Sequence, residues 1–144
     1  MAEDTRQLGN YRIIRRLGRG GFAEVYLGEH IYLKNLVAIK ILRTQVAAQD
    51  AGEFLTEAQM LVQLKHPHIV RIFEFGVEDE TPYLVMEYAE QGTLGERYPK
   101  GTHLDLSLVV TYMRQIGSAL EYAHAQKLIH RDLKIGRASC RERV

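Results

Sequence analysis

The chain has 144 residues, 46% hydrophobic and 26% charged, with 12 Gly, 3 Pro and no Trp. This is the size and apolar content of one globular domain, or of one domain and part of another, and it excludes a disordered chain. Lys+Arg 19 against Asp+Glu 18 leaves a net charge of +1, with no footprint for nucleic acid or a membrane surface.

No apolar run reaches the ~18 residues of a membrane-spanning helix. The start, Met1 to Gln7, lacks the basic and apolar regions of a secretion signal. The single cysteine, Cys140, excludes an internal disulfide framework and fits a reducing compartment, so the expected location is cytoplasmic.

Along the chain, Tyr11 to Leu17 reads as a strand running into a glycine-rich turn, Gly18-Arg19-Gly20-Gly21. Glu24 to Leu27 alternates as a second strand, and Leu36 to Leu42 as a third with Ala38, Lys40 and Leu42 on one face. Residues Asp50 to Lys65 have helical spacing through Phe54, Ala58, Leu61 and Val62, and Pro67 stops the pattern. Ile69 to Phe75 and Tyr83 to Tyr88 are two more strands, joined through Gly76 and the acidic turn Glu78-Asp79-Glu80. Beyond Gly92 a helix is expected from Leu106 to Ala125, N-capped by Asp105, with the apolar stripe Leu106, Val109, Val110, Met113, Ile116, Leu120 and Ala123. Leu128-Ile129 reads as a brief strand. Strands first and helices afterwards give an α+β class with a junction near Ala89 to Gly95.

Three clusters carry chemistry. Gly18-x-Gly20-x-x-Ala23-x-Val25 fits either a dinucleotide-binding turn or a glycine-rich flap over nucleotide phosphates. A dinucleotide turn needs a helix directly after it, whereas Glu24-Val25-Tyr26-Leu27 alternates as a strand, so the flap is the better fit. Lys40 sits centrally in an apolar strand, where an ammonium needs a partner. Glu57, beside the inward stripe of the helix, can supply one, and the pair would hold a cation against phosphate oxygens. His130-Arg131-Asp132-Leu133-Lys134 is the third, with Asp132 able to accept or orient a hydroxyl proton and Lys134 able to stabilise transferred charge. His66-Pro67-His68 has one residue between potential ligands but sits in a helix-to-strand loop, His30, His103 and His124 show no ligand spacing, and structural or solvated roles are expected for all five; Arg15, Arg16 and Arg19 read as solvated.

In these motifs, residues 8–134 resemble the eukaryotic-type protein kinase family, in its bacterial Ser/Thr branch. The resemblance implies an N-terminal extension over 1–10, a small antiparallel-sheet lobe with one helix over 11–89, and the start of a mostly helical lobe over 90–134. It implies ATP and Mg2+ as cofactors and a Ser/Thr-bearing protein as substrate. Gly18, Gly20 and Gly21 would form the flap, with Ala23 where the third family glycine usually stands. Lys40 would anchor phosphates with Glu57 as its partner, and Leu17, Val25 and Ala38 would roof the base. Met86 would be the gatekeeper, followed by the Glu87 carbonyl and Ala89 amide toward adenine. Asp132 would be the catalytic base, with Lys134 beside it as in Ser/Thr kinases.

After Lys134 the pattern breaks. The family continues through Pro to the Asn that holds one magnesium ion, but here Ile135-Gly136-Arg137-Ala138 follows, and the Asp-Phe-Gly segment is missing. The Mg2+ ligands are therefore not expected in this chain, and the 144-residue product is expected to be inactive although its parent is a kinase. Ile135 to Val144 also resembles one translated frame of a common sequencing adapter, and its three arginines against one glutamate, with the stray cysteine, mark it as foreign. Bacterial members of the family often carry sensor or membrane segments further downstream.

Overall fold

Apolar residues at every second position drive the first part of the chain into a sheet, and the register of that sheet sorts the side chains onto two faces. The computed structural model describes residues 6–20, 23–43 and 51–128, the side chains of 51–54 and Glu57 excepted. Two units are distinguished: Met1–Gln63 with Arg71–Tyr88, and Leu64–Val70 with Ala89–Val144.

The first unit holds β1 (Gln7–Leu8), β2 (Tyr11–Arg19), β3 (Ala23–His30), β4 (Leu36–Leu42), α1 (Ala51–Val62), β5 (Ile72–Glu78) and β6 (Thr81–Glu87). All strand pairs are antiparallel, in the order β1-β2-β3-β4-β6-β5. The core lies on one face: Val37, Ile39 and Ile41 of β4 pack with Leu8, Tyr11, Tyr83 and Val85, and Ile13 and Tyr26 lean on them. Ile39 and Val85 are fully buried.

Hydrogen bonds across this face curl the sheet into a half-barrel. The Tyr11 hydroxyl donates to Glu74 of β5 at 3.2 Å, and the Gly9 amide donates to Glu78 at 3.1 Å, although β2 and β5 are far apart in strand order. Tyr83 fills the closed space. A Cβ at Gly76 would collide with its ring, and one at Gly9 would crowd its hydroxyl, so both positions need glycine to let the sheet close. β2 carries two irregularities, between Ile13 and Arg15 and between Arg16 and Gly18, where it spends an extra residue against β3.

Several boundaries differ from expectation. The helix ends at Val62 rather than Lys65, and β5 begins at Ile72 because residues 67–69 turn first. Gly76 lies inside β5, and the β5–β6 turn falls on Asp79 and Glu80, both with positive φ, as a two-residue hairpin turn requires. β1 was not anticipated. α1 packs against β5, with Ala58 buried.

In the second unit, α2 (Leu94–Arg97) is closed by a capping box. The Glu96 amide donates to Thr93 Oγ1 at 3.1 Å, and the Thr93 amide donates back to the Glu96 carboxylate at 2.9 Å. α3 (Leu106–Ala125) has its N-cap at Asp105, but that side chain makes no capping hydrogen bond. The expected stripe is only half right. Leu106, Val109, Val110 and Met113 are exposed, while Leu108, Tyr112, Ile116, Ala119 and Tyr122 are partly covered. The helix is apolar on two sides, and tyrosine contacts select the covered one. Tyr112 meets Tyr98 through their hydroxyls at 3.1 Å, and the Lys65 amide donates to the Tyr122 hydroxyl at 3.1 Å.

His66 lies in the same unit. Its Nδ1 accepts from the His68 amide at 3.0 Å, and its Nε2 meets Ser118 Oγ at 3.0 Å. Burial and then the neighbouring His68 push its pKa down, which favours the neutral ring that an accepting Nδ1 requires. Leu128 is not in a strand, and Ile129 lies outside the described residues.

Candidate functional site

The face of the sheet opposite the core holds the residues singled out for chemistry. Cross-strand pairs share a face, and two rows can be followed across four strands. One runs Gly18, Val25, Lys40, Leu84, and the next runs Leu27, Ala38, Met86, Ile72. The first row sets one ammonium and one bare stretch of backbone among apolar side chains. The second is apolar from β3 to β5 and meets Arg15 on β2, and Leu27 and Ala38 within it are buried. Leu17 sits at the second irregularity of β2, partly buried, beside the start of the first row.

Glycine at position 18 serves nothing inside the sheet. A Cβ there would meet no atom within 4 Å, so its absence leaves the backbone open to a ligand from outside. The turn beyond it is closed by the Gly20 amide, which donates to the Ala23 carbonyl at 2.8 Å. Gly21 lies outside the described residues. The Glu87 amide donates to the Arg71 carbonyl at 2.8 Å. Ala89 belongs to the second unit, where its carbonyl accepts from the Gly92 amide at 3.1 Å.

Of the remaining expected residues, Glu57 is in α1 but its side chain lies outside the described ones, so a Lys40–Glu57 pair is not described. Asp132 and Lys134 also lie outside the described residues, as does the segment 135–144. Among the described residues no group of three or more His, Cys, Asp or Glu side chains could hold a metal ion.

One cluster was not read from the sequence. Arg16 and Arg19 are exposed, as expected, with side chains 54% and 62% accessible. Both face Glu24, at 4.0 and 3.6 Å, together with Arg43 at 3.1 Å, and the Tyr26 hydroxyl donates to the same carboxylate at 2.7 Å. The Tyr26 hydrogen bond, helped by Arg43 and Arg19, holds the Glu24 carboxyl below the usual range against some desolvation. Alternation along β3 was the available signal, since it puts Glu24 and Tyr26 together on the face away from Val25.

What this face can do is receive a flat apolar group on the second row and an anionic group near Lys40 and the open glycine backbone. A protein kinase domain model matches residues 11–136. The chain is 44% identical over 128 residues to the serine/threonine-protein kinase PrkC of Bacillus subtilis (strain 168), covering 88% of this chain and 20% of PrkC. It is 38% identical over 128 residues to the serine/threonine-protein kinase Pkn1 of Myxococcus xanthus, covering 88% of this chain and 18% of Pkn1. The chain thus spans about a fifth of the length of these relatives. Its fold matches the kinase domain of Mycobacterium tuberculosis PknI with a TM-score of 0.79 at 25% identity, over 92% of this chain and 55% of that one. Among the described residues no helix is long and apolar enough to cross a membrane.

Proposed function

Because the chain belongs to the protein kinase domain family, we propose that it is the nucleotide-binding part of a Ser/Thr protein kinase, which moves the terminal phosphoryl group of ATP to a Ser or Thr hydroxyl of a protein. The observation that carries this reading is the row Gly18–Val25–Lys40–Leu84, which sets a lysine and an open glycine backbone on the face opposite the Val37–Ile39–Ile41 core. Phosphoryl transfer is mostly positioning and charge neutralisation. In this reading Lys40, paired with Glu57, holds phosphate oxygens. Gly18, Gly20 and Gly21 cover them with backbone amides. Leu17, Val25 and Ala38 roof the base, with Met86 beside it and Glu87 and Ala89 hydrogen-bonding its edge. Asp132 orients the attacking hydroxyl, and Lys134 offsets charge on the transferred group. Mg2+ would supply further positive charge at the phosphates, and no residue of this chain is assigned to hold it. Use of ATP fits a cytoplasmic location for the domain.

A second reading, nucleotide binding without transfer, is favoured by one feature: Ile135-Gly136-Arg137-Ala138 follows Lys134 where family members carry Pro and then Asn. It accounts for the expected inactivity of this chain.

Calorimetric titration with ADP and a radiolabel assay with ATP and a basic protein test both. Lys40→Met should weaken ADP by 10-fold or more, about the worth of one charge-assisted contact to phosphate. Unchanged affinity would refute the role given to Lys40. Label transfer by the 144-residue chain, lost in Asp132→Asn, would refute binding without transfer.

A further inference from the structure

The four groups around Glu24 come from three places in the sheet. Arg16 and Arg19 are on β2, Tyr26 is on β3 with Glu24 itself, and Arg43 directly follows β4. The residues between Arg19 and Glu24 are the glycine-rich turn. Glycine loses more conformational freedom on folding than any other residue, so a glycine-rich sequence costs more to hold in one conformation. The turn lies at the free end of two strands, and its described closure is the Gly20–Ala23 hydrogen bond.

We propose that Glu24 is a positioning residue for this turn: its carboxylate gathers Arg16, Arg19 and Arg43, and so ties the tip of the β2–β3 hairpin to the end of β4 from the face opposite Lys40. The inference rests on the nucleotide reading above and deepens it. Lys40 is three residues before Arg43 on the same strand segment, so the tie fixes the spacing between the turn and the ammonium that would share one phosphate group. Each ion pair alone is half-exposed and weak. Three cations converging on one carboxylate, with a phenol holding its second oxygen, restrain the carboxylate more than a single pair would. Holding the turn in place before a ligand arrives lowers the ordering cost of binding. The effect falls on phosphate and not on the base, because the apolar row Leu27–Ala38–Met86 lies further along the strands from the turn.

The experiment uses this chain and the variants Glu24→Gln and Arg43→Gln, with Arg12→Gln as control. Arg12 forms a 2.8 Å ion pair with Glu29 at the other end of the same two strands, so its loss reports a merely structural salt bridge. Amide exchange is followed by NMR without nucleotide, and ADP and adenosine are titrated by calorimetry. Glu24→Gln and Arg43→Gln should speed exchange at Gly20 while leaving Ile39 and Val85 unchanged, and should weaken ADP by about 3- to 10-fold with adenosine unaffected. Arg12→Gln should do neither. Unchanged Gly20 exchange, or equal loss of ADP and adenosine, would overturn the proposal. Wild-type chain that binds neither ligand would instead overturn the nucleotide reading, and Gly20 exchange would still decide whether Glu24 holds the turn.

Discussion

The two faces of β4 are made from seven consecutive residues and have opposite characters. Val37, Ile39 and Ile41 are 1%, 0% and 7% exposed and join side chains from β1, β2 and β6 into one core. Ala38 and Lys40 face the other way, toward Val25, Leu27, Leu84 and Met86. The first face carries stability, and the proposed function puts recognition on the second. A single strand can do both because its side-chain period is two, so substitutions on one face need not disturb the other.

That separation can be broken most forcefully at Ile39. Ile39→Ala removes three carbons from a fully buried site and should cost about 2–5 kcal/mol of stability. Urea unfolding would measure this as a lower midpoint with an unchanged slope. A loss below ~1 kcal/mol would mean the core face is not the main support of the sheet.

A smaller effect is expected from alkaline pH, again on the core face alone. Burial first, then the Glu74 carboxylate, raises the pKa of Tyr11 and Tyr83 above 10.0. Above the unfolded value the unfolded chain releases these protons more readily than the folded one. The stability tied to them is therefore present below pH ~10 and is lost as pH rises through the folded pKa values. The urea midpoint should fall between pH 9 and pH 11, and Tyr11→Phe with Tyr83→Phe should flatten that fall.

The smallest effect on stability belongs to Lys40. Lys40→Met keeps the length of the side chain and should change unfolding free energy by less than ~0.5 kcal/mol, the range of changes away from the core. A large destabilisation would show that Lys40 supports the fold, and the contrast between the faces would weaken.

Much of this arrangement was legible in the sequence because alternation is a strong signal over strands of seven or more residues. Leu36 to Leu42 announced both its core face and the odd lysine on the other. Short or cooperative features were not legible. β1 has two residues, too few for a period, and the half-barrel depends on Tyr11–Glu74 and Gly9–Glu78 contacts that no local pattern predicts. Gly76 looked like turn punctuation, whereas it is a strand position emptied to admit Tyr83. α3 defeated the periodicity because Val109, Val110 and Met113 make one apolar side and Leu108, Tyr112 and Ile116 another. In the site, Gly18, Val25 and Lys40 were each legible as motif positions, and the strand register then set them in one row. The Glu24 cluster did not, because charged residues on a strand look alike until register decides which of them meet.

The two irregularities in β2 have a consequence for how related chains vary in length. Between Tyr11 and Arg19 this strand uses nine residues opposite the seven from Glu24 to His30. Each surplus residue is taken up locally, so the pairs on either side keep their partners. Loss of one residue at Ile14 would convert a kink into regular ladder without moving the glycine-rich turn, whereas the same loss in β4 would turn Lys40 into the core. Natural deletions should therefore be tolerated in β2 and purged from β4, and sequence alignments of this region are best allowed a gap inside the first long strand.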